Sequence, residues 1–447
     1  MLEGLTRPLP EEPDGTPPQR GFIDAMHSRQ LRSVLRLAET IGKKAFGVAD
    51  PLNANIKRTD ERERIVASTI QQMVTGGKLK FGNIPSHIIV ELVLAELFGL
   101  GPLDRFLGED DVTEIMVNGP FIIFVERAGK LIETGHKFVD DEHVERIINR
   151  IVRPLGRTIG PNNPLVDARL PDGSRVNAAV APCTLDGPSI TIRKFSSNML
   201  HLDALVGFGS MSQEMAMFMK ALVRGRRNIV ISGGTGSGKT TLINALSAYI
   251  DPGERVVTIE DAAELQLRQR NVVRMESKKP TREDPVEVTM RDCLVNALRM
   301  RPERILIGEC RSIEAFDMLQ AMNTGHDGSM TTVHANSPRD AIARLETLAL
   351  MGGVALPLPV MRRQLVSAVH FIIQVQRMQD GKRRITHITE IQGMEGEIVT
   401  LGDIFIWDET RRGQAPRHRA TGNRPRCIGE LQRYGQNLPA ALFNSRR

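Results

Sequence analysis

One short segment constrains the fold of this chain more than any other feature. Residues 233–240 read Gly-Gly-Thr-Gly-Ser-Gly-Lys-Thr and fit the pattern G-x-x-x-x-G-K-[ST]. An apolar run, 228–232, precedes this segment, and a helix-like run, 241–246, follows it. A strand, a glycine-rich loop and a helix in this order surround a phosphate with backbone N–H groups at the positive end of the helix dipole. The sequence therefore predicts a nucleotide-binding α/β domain rather than a mere glycine-rich turn.

Individual residues of this loop have separate predicted roles. Lys239 is expected to reach the β- and γ-phosphate oxygens as a point charge, and the Thr240 hydroxyl to ligate Mg²⁺. The predicted nucleotide-binding residues of the loop are Gly233, Gly234, Thr235, Gly236, Ser237, Gly238, Lys239, Thr240 and Thr241.

Two predicted strands downstream are followed by carboxylates, which nucleotide hydrolysis requires near the metal. The run 304–308 precedes Glu309, and the run 255–259 precedes Glu260. An acidic residue at the tip of a buried strand is costly unless it meets a cation. We predict that Glu309 occupies the Walker B position and that Glu260 positions metal-bound water. The alternatives are a solvent-facing Glu309 and a Glu260 that stabilises a helix start. Mg²⁺ would then lie on Thr240, Glu260 and Glu309, partly through water.

Two histidines and several arginines are candidates for contacts with the γ-phosphate. The segment 324–336 carries His326 and His334 around a predicted strand. Polar contacts near the γ-phosphate are favoured for both, and structural hydrogen bonding at a strand end is the alternative. Spacing selects none of the arginines, for which exposure to solvent is the default; the candidates are Arg169, Arg175, Arg193, Arg299 and Arg301.

The order of predicted elements divides the chain into four parts. Residues 1–20 hold five prolines and almost no large apolar residues, which predicts a disordered leader. Residues 21–100 have helical periodicity, and residues 101–200 alternate short strands with turns, which predicts an α+β domain. In residues 201–447 strands alternate with helices, which predicts a parallel sheet covered by helices, with antiparallel additions near its edge.

Particular boundaries are also predicted. Ser86 is expected to cap a helix that ends at Gly99. The predicted strands are 113–117, 122–125, 137–139, 189–193, 228–232, 255–260, 304–308 and 329–334, and the antiparallel additions are 371–378, 383–391 and 397–407.

Composition excludes several classes of protein. The 447 residues are 41% hydrophobic and include four cysteines, which excludes a mostly disordered chain and a disulfide scaffold. We find no apolar run of about 18 residues and no N-terminal secretory signal, so a cytoplasmic protein is expected. The cysteines are scattered, so no zinc site is predicted; they are Cys183, Cys293, Cys310 and Cys427.

The net charge of +6 is concentrated at the C-terminal end. Residues 409–447 contain nine arginines and two glutamates, which leaves 50 basic and 51 acidic residues elsewhere. A near-neutral body lacks an electrostatic track for nucleic acid, and one Trp and two Tyr offer little stacking surface. A solvated, partly flexible basic segment is the favoured interpretation, and contact with an acidic partner or anionic lipid is the alternative.

Several long strings make the chain resemble a known family. They are Gly-Pro-Leu (101–103), Val-Thr-Glu-Ile-Met-Val-Asn-Gly-Pro (112–120), Val-Asp-Ala-Arg-Leu-Pro-Asp-Gly-Ser-Arg-Val-Asn (166–177), Asp-Gly-Pro-Ser-Ile-Thr-Ile-Arg-Lys-Phe (186–195), Glu-Asp-Ala-Ala-Glu-Leu (260–265), Met-Asn-Thr-Gly-His-Asp-Gly-Ser (322–329) and His-Ala-Asn-Ser-Pro (334–338). Together with the phosphate loop they resemble the ATPases of type II and type IV secretion and pilus assembly. The resemblance is strongest to the CpaF family of the Tad/Flp type IV pilus system.

The resemblance implies a fold and a set of roles. It implies a RecA-like P-loop NTPase domain after an α+β domain and an N-terminal helical segment, assembled as a homo-hexamer that binds ATP and Mg²⁺. By resemblance, Glu309 is the catalytic Walker B glutamate and Glu260 assists at the metal, while Lys239 binds the phosphates. Arg175 and Arg193 match arginines that sense the γ-phosphate.

Two segments depart from the family's pattern. After Glu309 the chain reads Cys-Arg-Ser-Ile (310–313), where a small aliphatic residue, Arg and Gly are usual. Residues 160–164 lack an acidic residue that is common there. Neither departure removes a predicted catalytic group, although the first is expected to alter packing behind Glu309.

The resulting hypothesis is an ATP-hydrolysing ring motor that powers assembly of Tad/Flp pili. The protein is predicted to be cytoplasmic and peripheral to the bacterial inner membrane. Its predicted partners there are pilus platform proteins and not nucleic acid. A related conjugation or secretion ATPase is the alternative, and neighbouring genes would distinguish the two. A nucleic-acid-binding RecA-like protein and a non-hydrolysing scaffold are less favoured.

Overall fold

The computed structural model describes residues 28–77, 84–127, 129–195, 200–280, 284–352, 356–409 and 416–444. The predicted leader, 1–20, lies outside them. The chain divides into two compact units, Met1–Ser196 and Ser197–Arg447. The finer division into four parts stays a prediction.

Unit 1 begins with three helices around an apolar core. They are α1 (Ser28–Phe46), α2 (Asp60–Thr75) and α3 (Ser86–Phe98). The Thr59 side chain caps α2 by accepting a hydrogen bond from the Arg62 backbone N–H. Ser86 was expected to cap α3, but Pro85 holds that position and makes no side-chain bond, whereas Gly99 ends the helix as predicted. The shared core includes Val34, Ile41, Val66, Ile70, Val93 and Leu97.

A six-stranded antiparallel sheet and two α-helices follow in the described part of unit 1. After α4 (Asp104–Gly108), the elements are β1 (Val112–Asn118), β2 (Ile123–Arg127), β3 (Lys130–Glu133), α5 (Asp141–Val152), β4 (Leu165–Arg169), β5 (Arg175–Ala179) and β6 (Ser189–Arg193), in the strand order β3-β2-β1-β6-β5-β4. The apolar face of α5 packs on this sheet. Glu96 of α3 and His143 of α5 are buried 3.1 Å apart, which joins the helices to the sheet within one unit.

One predicted strand of this region is wrong. Residues 137–139 are not a strand; Phe138 is fully buried, and its N–H donates to the Pro120 carbonyl. The third strand is instead β3, whose four residues are all exposed. Period-two hydrophobicity detects strands with one buried face, so an exposed edge strand carries no such pattern.

Unit 2 is built on a nine-stranded sheet across its described residues. The order is β15-β14-β13-β12-β7-β11-β10-β8-β9, in which β12 through β9 run parallel and β13, β14 and β15 are antiparallel additions. The strands are β7 (Ile229–Gly233), β8 (Val256–Glu260), β9 (Val272–Glu276), β10 (Arg304–Ile307), β11 (Met330–Val333), β12 (Phe371–Arg377), β13 (Arg383–Glu395), β14 (Ile398–Asp408) and β15 (Arg417–Ala420).

Helices cover both faces of this sheet, as the alternation of strands and helices predicts. The helices are α6 (Leu202–Gly207), α7 (Gln213–Arg224), α8 (Lys239–Ser247), α9 (Met290–Ala297), α10 (Glu314–Asn323), α11 (Pro338–Leu350), α12 (Leu358–Ala368) and α13 (Ile428–Arg433). Ile229 and Ile231 of β7 face the core shared with α6, α7 and α8, whereas Val230 faces the core shared with α9 to α12. The α/β fold class with a preceding α+β region and N-terminal helices is therefore confirmed.

The strand β12 corrects one prediction about the sheet. It was expected to be an antiparallel addition, but it runs parallel to β7, with Ile372 opposite Val230. The helices α11 and α12 lie between β11 and β12 and make the crossover that a parallel strand needs. Consequently β7 is central, between β11 and β12. Asn228, the residue before β7, donates to the Ala368 carbonyl and accepts from the Gly328 N–H.

The described part of the basic C-terminal segment is not a loose tail. Arg419 of β15 forms an ion pair with Asp408, and Cys427, Leu431 and Phe443 are buried in the core of unit 2. Residues 410–415 and 445–447 lie outside the described residues. The interpretation as a partly flexible segment is therefore wrong for 416–444, whereas Arg417, Arg424, Arg426 and Arg433 are exposed to solvent as expected.

Replacing Phe443 by Ala should lower the free energy of unfolding of unit 2 by about 3 kcal/mol, because the ring is buried and its removal leaves a cavity. The Phe443 ring lies 5.5 Å from that of Phe218, edge to face. Urea unfolding followed by fluorescence of Trp407, the single tryptophan, measures the change in the same unit. The control Tyr434→Ala removes a side chain from a 46% exposed residue and should change stability by less than about 0.5 kcal/mol. Equal stability of the two variants would contradict the burial of this segment.

In the described part of the chain, no single helix is long and apolar enough to cross a membrane. By length and composition alone, α3 passes that test together with residues 101–108, although the two are bent by 115°.

Candidate functional site

The phosphate loop lies between β7 and α8, as its sequence predicts. Gly236 and Gly238 have φ angles of 67° and 98°, which other residues rarely adopt. Gly233 packs against the neighbouring strand: a Cβ atom there would lie 2.3 Å from the Val375 carbonyl oxygen. Glycine is therefore needed at these positions to shape the loop and to pack it on the sheet.

The Lys239 side chain folds back onto the loop and is almost fully buried, with 8% of the residue exposed. Its Nζ donates to the carbonyls of Gly233 and Gly234, both at 3.0 Å, and lies 3.2 Å from Nε2 of His334. Burial lowers the pKa of this ammonium group. A bound phosphate would replace these neutral acceptors with charged oxygens, so Lys239 is held where an anion would bind.

Glu260 ends β8 and carries the buried carboxylate of the site. Its Oε1 accepts hydrogen bonds from the backbone N–H groups of Glu264 at 2.8 Å and Leu265 at 2.9 Å. Its Oε2 is buried without a hydrogen-bond partner, and burial raises the pKa of the carboxyl. The Thr240 hydroxyl donates to Glu264 Oε2 at 3.2 Å. A buried carboxylate oxygen without a partner, in a site that also holds a hydroxyl and a second carboxylate, fits a hard cation such as Mg²⁺.

Glu309 follows β10 and lies beside an arginine and a histidine. Nε of Arg311 donates to Glu309 Oε2 at 2.5 Å, and Nη1 of Arg311 lies 3.5 Å from Asp261. Nε2 of His334 lies 3.0 Å from Glu309 Oε1. The Glu309 side chain is 15% exposed, so it does not face open solvent.

The protonation of His334 determines whether its Nε2 accepts a hydrogen bond from Lys239 or donates one to Glu309. Burial lowers its pKa, and the nearby Lys239 charge lowers it further, so the ring is neutral at pH 7. Nε2 accepts from the Lys239 ammonium group, and a nitrogen that accepts cannot also donate to Glu309. Glu309 Oε1 accordingly has no hydrogen-bond partner despite its short distance to the ring. The oxygen is thus available to accept a bond from another donor.

Strand topology brings the predicted residues of unit 2 to one edge of the sheet. Lys239, Thr240, Glu260, Glu309 and His334 all follow or end parallel strands, whose carboxyl ends meet there. His326 does not belong with them, because it precedes β11 at the opposite edge and contacts the Ala321 carbonyl. Arg299 and Arg301 likewise precede β10 at that opposite edge and are exposed.

The remaining arginine candidates belong to unit 1. Arg175 of β5 is opposite both Arg169 of β4 and Arg193 of β6. Nε of Arg193 lies 3.8 Å from Glu114. A role for Arg175 and Arg193 at the γ-phosphate stays a prediction.

Sequence reasoning missed two side chains at this edge. Arg311 holds Glu309, and Nε of Arg383 donates to the Gly236 carbonyl of the loop at 2.8 Å. The resemblance pointed to an arginine two residues after Glu309 but not to its partner. Arg383 carries no local signal, because its position depends on the pairing of β12 with β7. Among the residues with described positions, no group of three or more His, Cys, Asp or Glu side chains is arranged to hold a metal.

Comparison with known proteins gives a consistent result. A putative conjugal transfer protein of Mycobacterium tuberculosis is 33% identical over 328 residues, which is 72% of this chain and 92% of the relative. The type IV secretion system protein PtlH of Bordetella pertussis is 35% identical over 66% of this chain and 95% of its own length. The solved VirB11 ATPase of the Brucella suis type IV secretion system is 31% identical, with 64% of this chain and 94% of that chain covered and a TM-score of 0.34. The type II/IV secretion system protein family matches residues 96–423, so the chain belongs to this family of secretion ATPases.

Proposed function

We propose that this chain is an ATP-hydrolysing ring motor that powers assembly of Tad/Flp type IV pili at the bacterial inner membrane. The observation that carries the proposal is the meeting of Lys239, Glu260 and Glu309 at the carboxyl edge of one parallel sheet. A phosphate-binding lysine, a buried carboxylate oxygen that lacks a partner and a second carboxylate are the groups that phosphoryl transfer to water requires.

In the proposed reaction, the loop N–H groups and Lys239 hold the phosphates of ATP. Thr240 and Glu260 would hold Mg²⁺, partly through water, and a bound ion would supply positive charge beside the phosphate oxygens. Glu309 orients the attacking water and accepts its proton. The water oxygen bonds to the γ-phosphorus while the bond to the β–γ bridging oxygen breaks, which releases ADP and phosphate.

His334 and the arginines complete this proposal. The neutral His334 ring supports Lys239 through Nε2 and lies beside the Glu309 oxygen that takes the proton. Once phosphates attract Lys239, Nε2 can bond to other polar groups near the γ-phosphate. Arg175 and Arg193 would sense the γ-phosphate, as the CpaF resemblance implies.

The finer assignment to pili rests on the sequence strings. Those at 101–103, 112–120 and 166–177 resemble the CpaF family, whose members form homo-hexamers on inner-membrane platform proteins. The hexamer, the platform partner and a peripheral place at the membrane are therefore parts of the proposal. The charge distribution supports a protein partner rather than nucleic acid, because residues 1–408 carry 50 basic and 51 acidic residues.

A second candidate is a motor for conjugation or protein secretion with the same chemistry. The relatives favour it, because one is named a putative conjugal transfer protein and another a type IV secretion system protein.

Purified protein and a deletion strain test both candidates. The wild-type chain should hydrolyse ATP in a Mg²⁺-dependent reaction and form a hexamer by mass measurement, and Lys239→Ala should abolish phosphate release. A strain without the gene should lose surface pili in electron micrographs, and wild-type but not Lys239→Ala protein should restore them. Normal pili with loss of DNA transfer or protein secretion would favour the second candidate, and undiminished phosphate release by Lys239→Ala would overturn both.

A further inference from the structure

The turn between β12 and β13 lies beside the phosphate loop. Val375 of β12 is opposite Gly233 of β7, so the turn at 378–382 projects from the same carboxyl edge as the loop. The turn is held together by Asp380, whose carboxylate accepts from the Lys382 N–H at 2.9 Å and from Arg384 at 2.7 Å. Arg383, the first residue of β13, therefore directly follows an ordered turn.

Arg383 contacts the loop through a main-chain group. Its Nε donates to the Gly236 carbonyl at 2.8 Å, and its Cδ lies 3.4 Å from the point where Gly238 would carry a Cβ. The contact therefore involves the middle of the loop, between two glycines in left-handed conformations. Glycines lose the most conformational freedom on ordering, so this part of the loop gains most from an external contact.

The contact also determines which way the loop's N–H groups face. In a trans peptide, the carbonyl of one residue and the N–H of the next point in opposite directions. When the Gly236 carbonyl is held toward Arg383, the Ser237 N–H turns to the other side. That N–H makes only a long bond of 3.4 Å to the Gly234 carbonyl, so it can donate to a phosphate instead.

We propose that Arg383 is a positioning residue that orders the phosphate loop for nucleotide binding. The inference rests on the proposed function, since it concerns the affinity of the same site for ATP and ADP. Arg383 acts on the loop rather than on the reacting atoms, so its loss should weaken binding of both nucleotides and leave the turnover number nearly unchanged.

The experiment compares Arg383→Ala with a matched charge control. Arg377 is directly opposite Arg383 in the β12–β13 pair and is exposed, so Arg377→Ala removes the same charge and keeps the contact with Gly236. Equilibrium titration with a fluorescent ADP analogue gives the dissociation constant, and steady-state ATP hydrolysis gives KM and kcat. We expect Arg383→Ala to raise the dissociation constant and KM roughly tenfold, with kcat within about twofold of wild type. Arg383→Lys should restore part of the affinity, and Arg377→Ala should change it by less than about twofold.

Each result bears on the proposal separately from the proposed function. Equal weakening by Arg383→Ala and Arg377→Ala would assign the effect to net charge and overturn the positioning role. Unchanged binding by Arg383→Ala, or a loss confined to kcat, would overturn it too. A wild-type chain that binds ADP but releases no phosphate from ATP would overturn the proposed function alone.

Discussion

Replacing Glu309 by Gln should lower the rate of ATP hydrolysis by about 100-fold or more and leave the affinity for ATP within about twofold of wild type. The amide keeps the size of the side chain but cannot accept a proton from water. The contacts support this separation of effects, because the described hydrogen bond of the Glu309 side chain goes to Arg311 and not to the phosphate loop, whereas its Oε1 has no hydrogen-bond partner and is available to a water molecule.

The contact with Arg311 explains why Glu309→Gln should affect only the chemical step. Its Nε donates to Glu309 Oε2 at 2.5 Å, and its contact with Asp261 is longer, at 3.5 Å. A glutamine at position 309 keeps an oxygen that can accept from Arg311. The variant should therefore fold and bind nucleotide, and its defect should be confined to the chemical step.

Phosphate release and binding of a fluorescent ATP analogue, measured on the same preparations, test this expectation. Glu287→Gln is the control, since Glu287 is exposed in the same unit and loses the same charge. Lys239→Ala gives the contrasting result, because it should abolish binding as well as turnover. More than a tenth of wild-type turnover in Glu309→Gln would rule out Glu309 as the proton acceptor.

Much of the candidate site is predictable from sequence because its signals are local. The phosphate loop is one continuous segment, and Glu260 and Glu309 each follow an apolar run that predicts a buried strand. Parallel strands bring their carboxyl ends to one edge, so side chains far apart in sequence meet without any long-range information. His334 follows the same rule, whereas His326 lies before its strand and is at the other edge.

The position of Arg383 could not be predicted from sequence, because it depends on which strands are neighbours in the sheet. Placing β12 beside β7 brings Arg383 to the loop, and no pattern around residue 383 indicates that pairing. The exposed edge strand β3 and the partly exposed β9 lack the hydrophobic period that marks other strands. The basic C-terminal segment was misjudged because its arginines dominate its composition, whereas a few apolar residues such as Leu431 and Phe443 bury it.

The second large loss of ATP turnover is expected from replacing the Glu260 carboxylate. Glu260→Gln should lower turnover by about 100-fold, because an amide oxygen is a weaker Mg²⁺ ligand than a carboxylate oxygen. The substitution also leaves the backbone N–H groups of Glu264 and Leu265 with a neutral acceptor in place of a charged one. Binding of ADP without Mg²⁺ should change little, because the described hydrogen bonds of the Glu260 side chain go to Glu264 and Leu265 and not to Lys239 or the loop carbonyls.

Gly308→Ala tests the same carboxylate without changing its chemistry. A Cβ at position 308 would lie 2.9 Å from Cγ of Glu260 and 3.2 Å from its Oε1, so the side chain must shift away from the two N–H groups that hold it. We expect turnover to fall by about tenfold and the Mg²⁺ concentration for half-maximal activity to rise, since a shift of about 1 Å in a positioned group costs this much or more. Gly207→Ala is the matched control, because a Cβ there meets nothing within 4 Å. If Gly308→Ala matched wild type at every Mg²⁺ concentration, the position of Glu260 would not matter, and Glu260 would have no role at the metal.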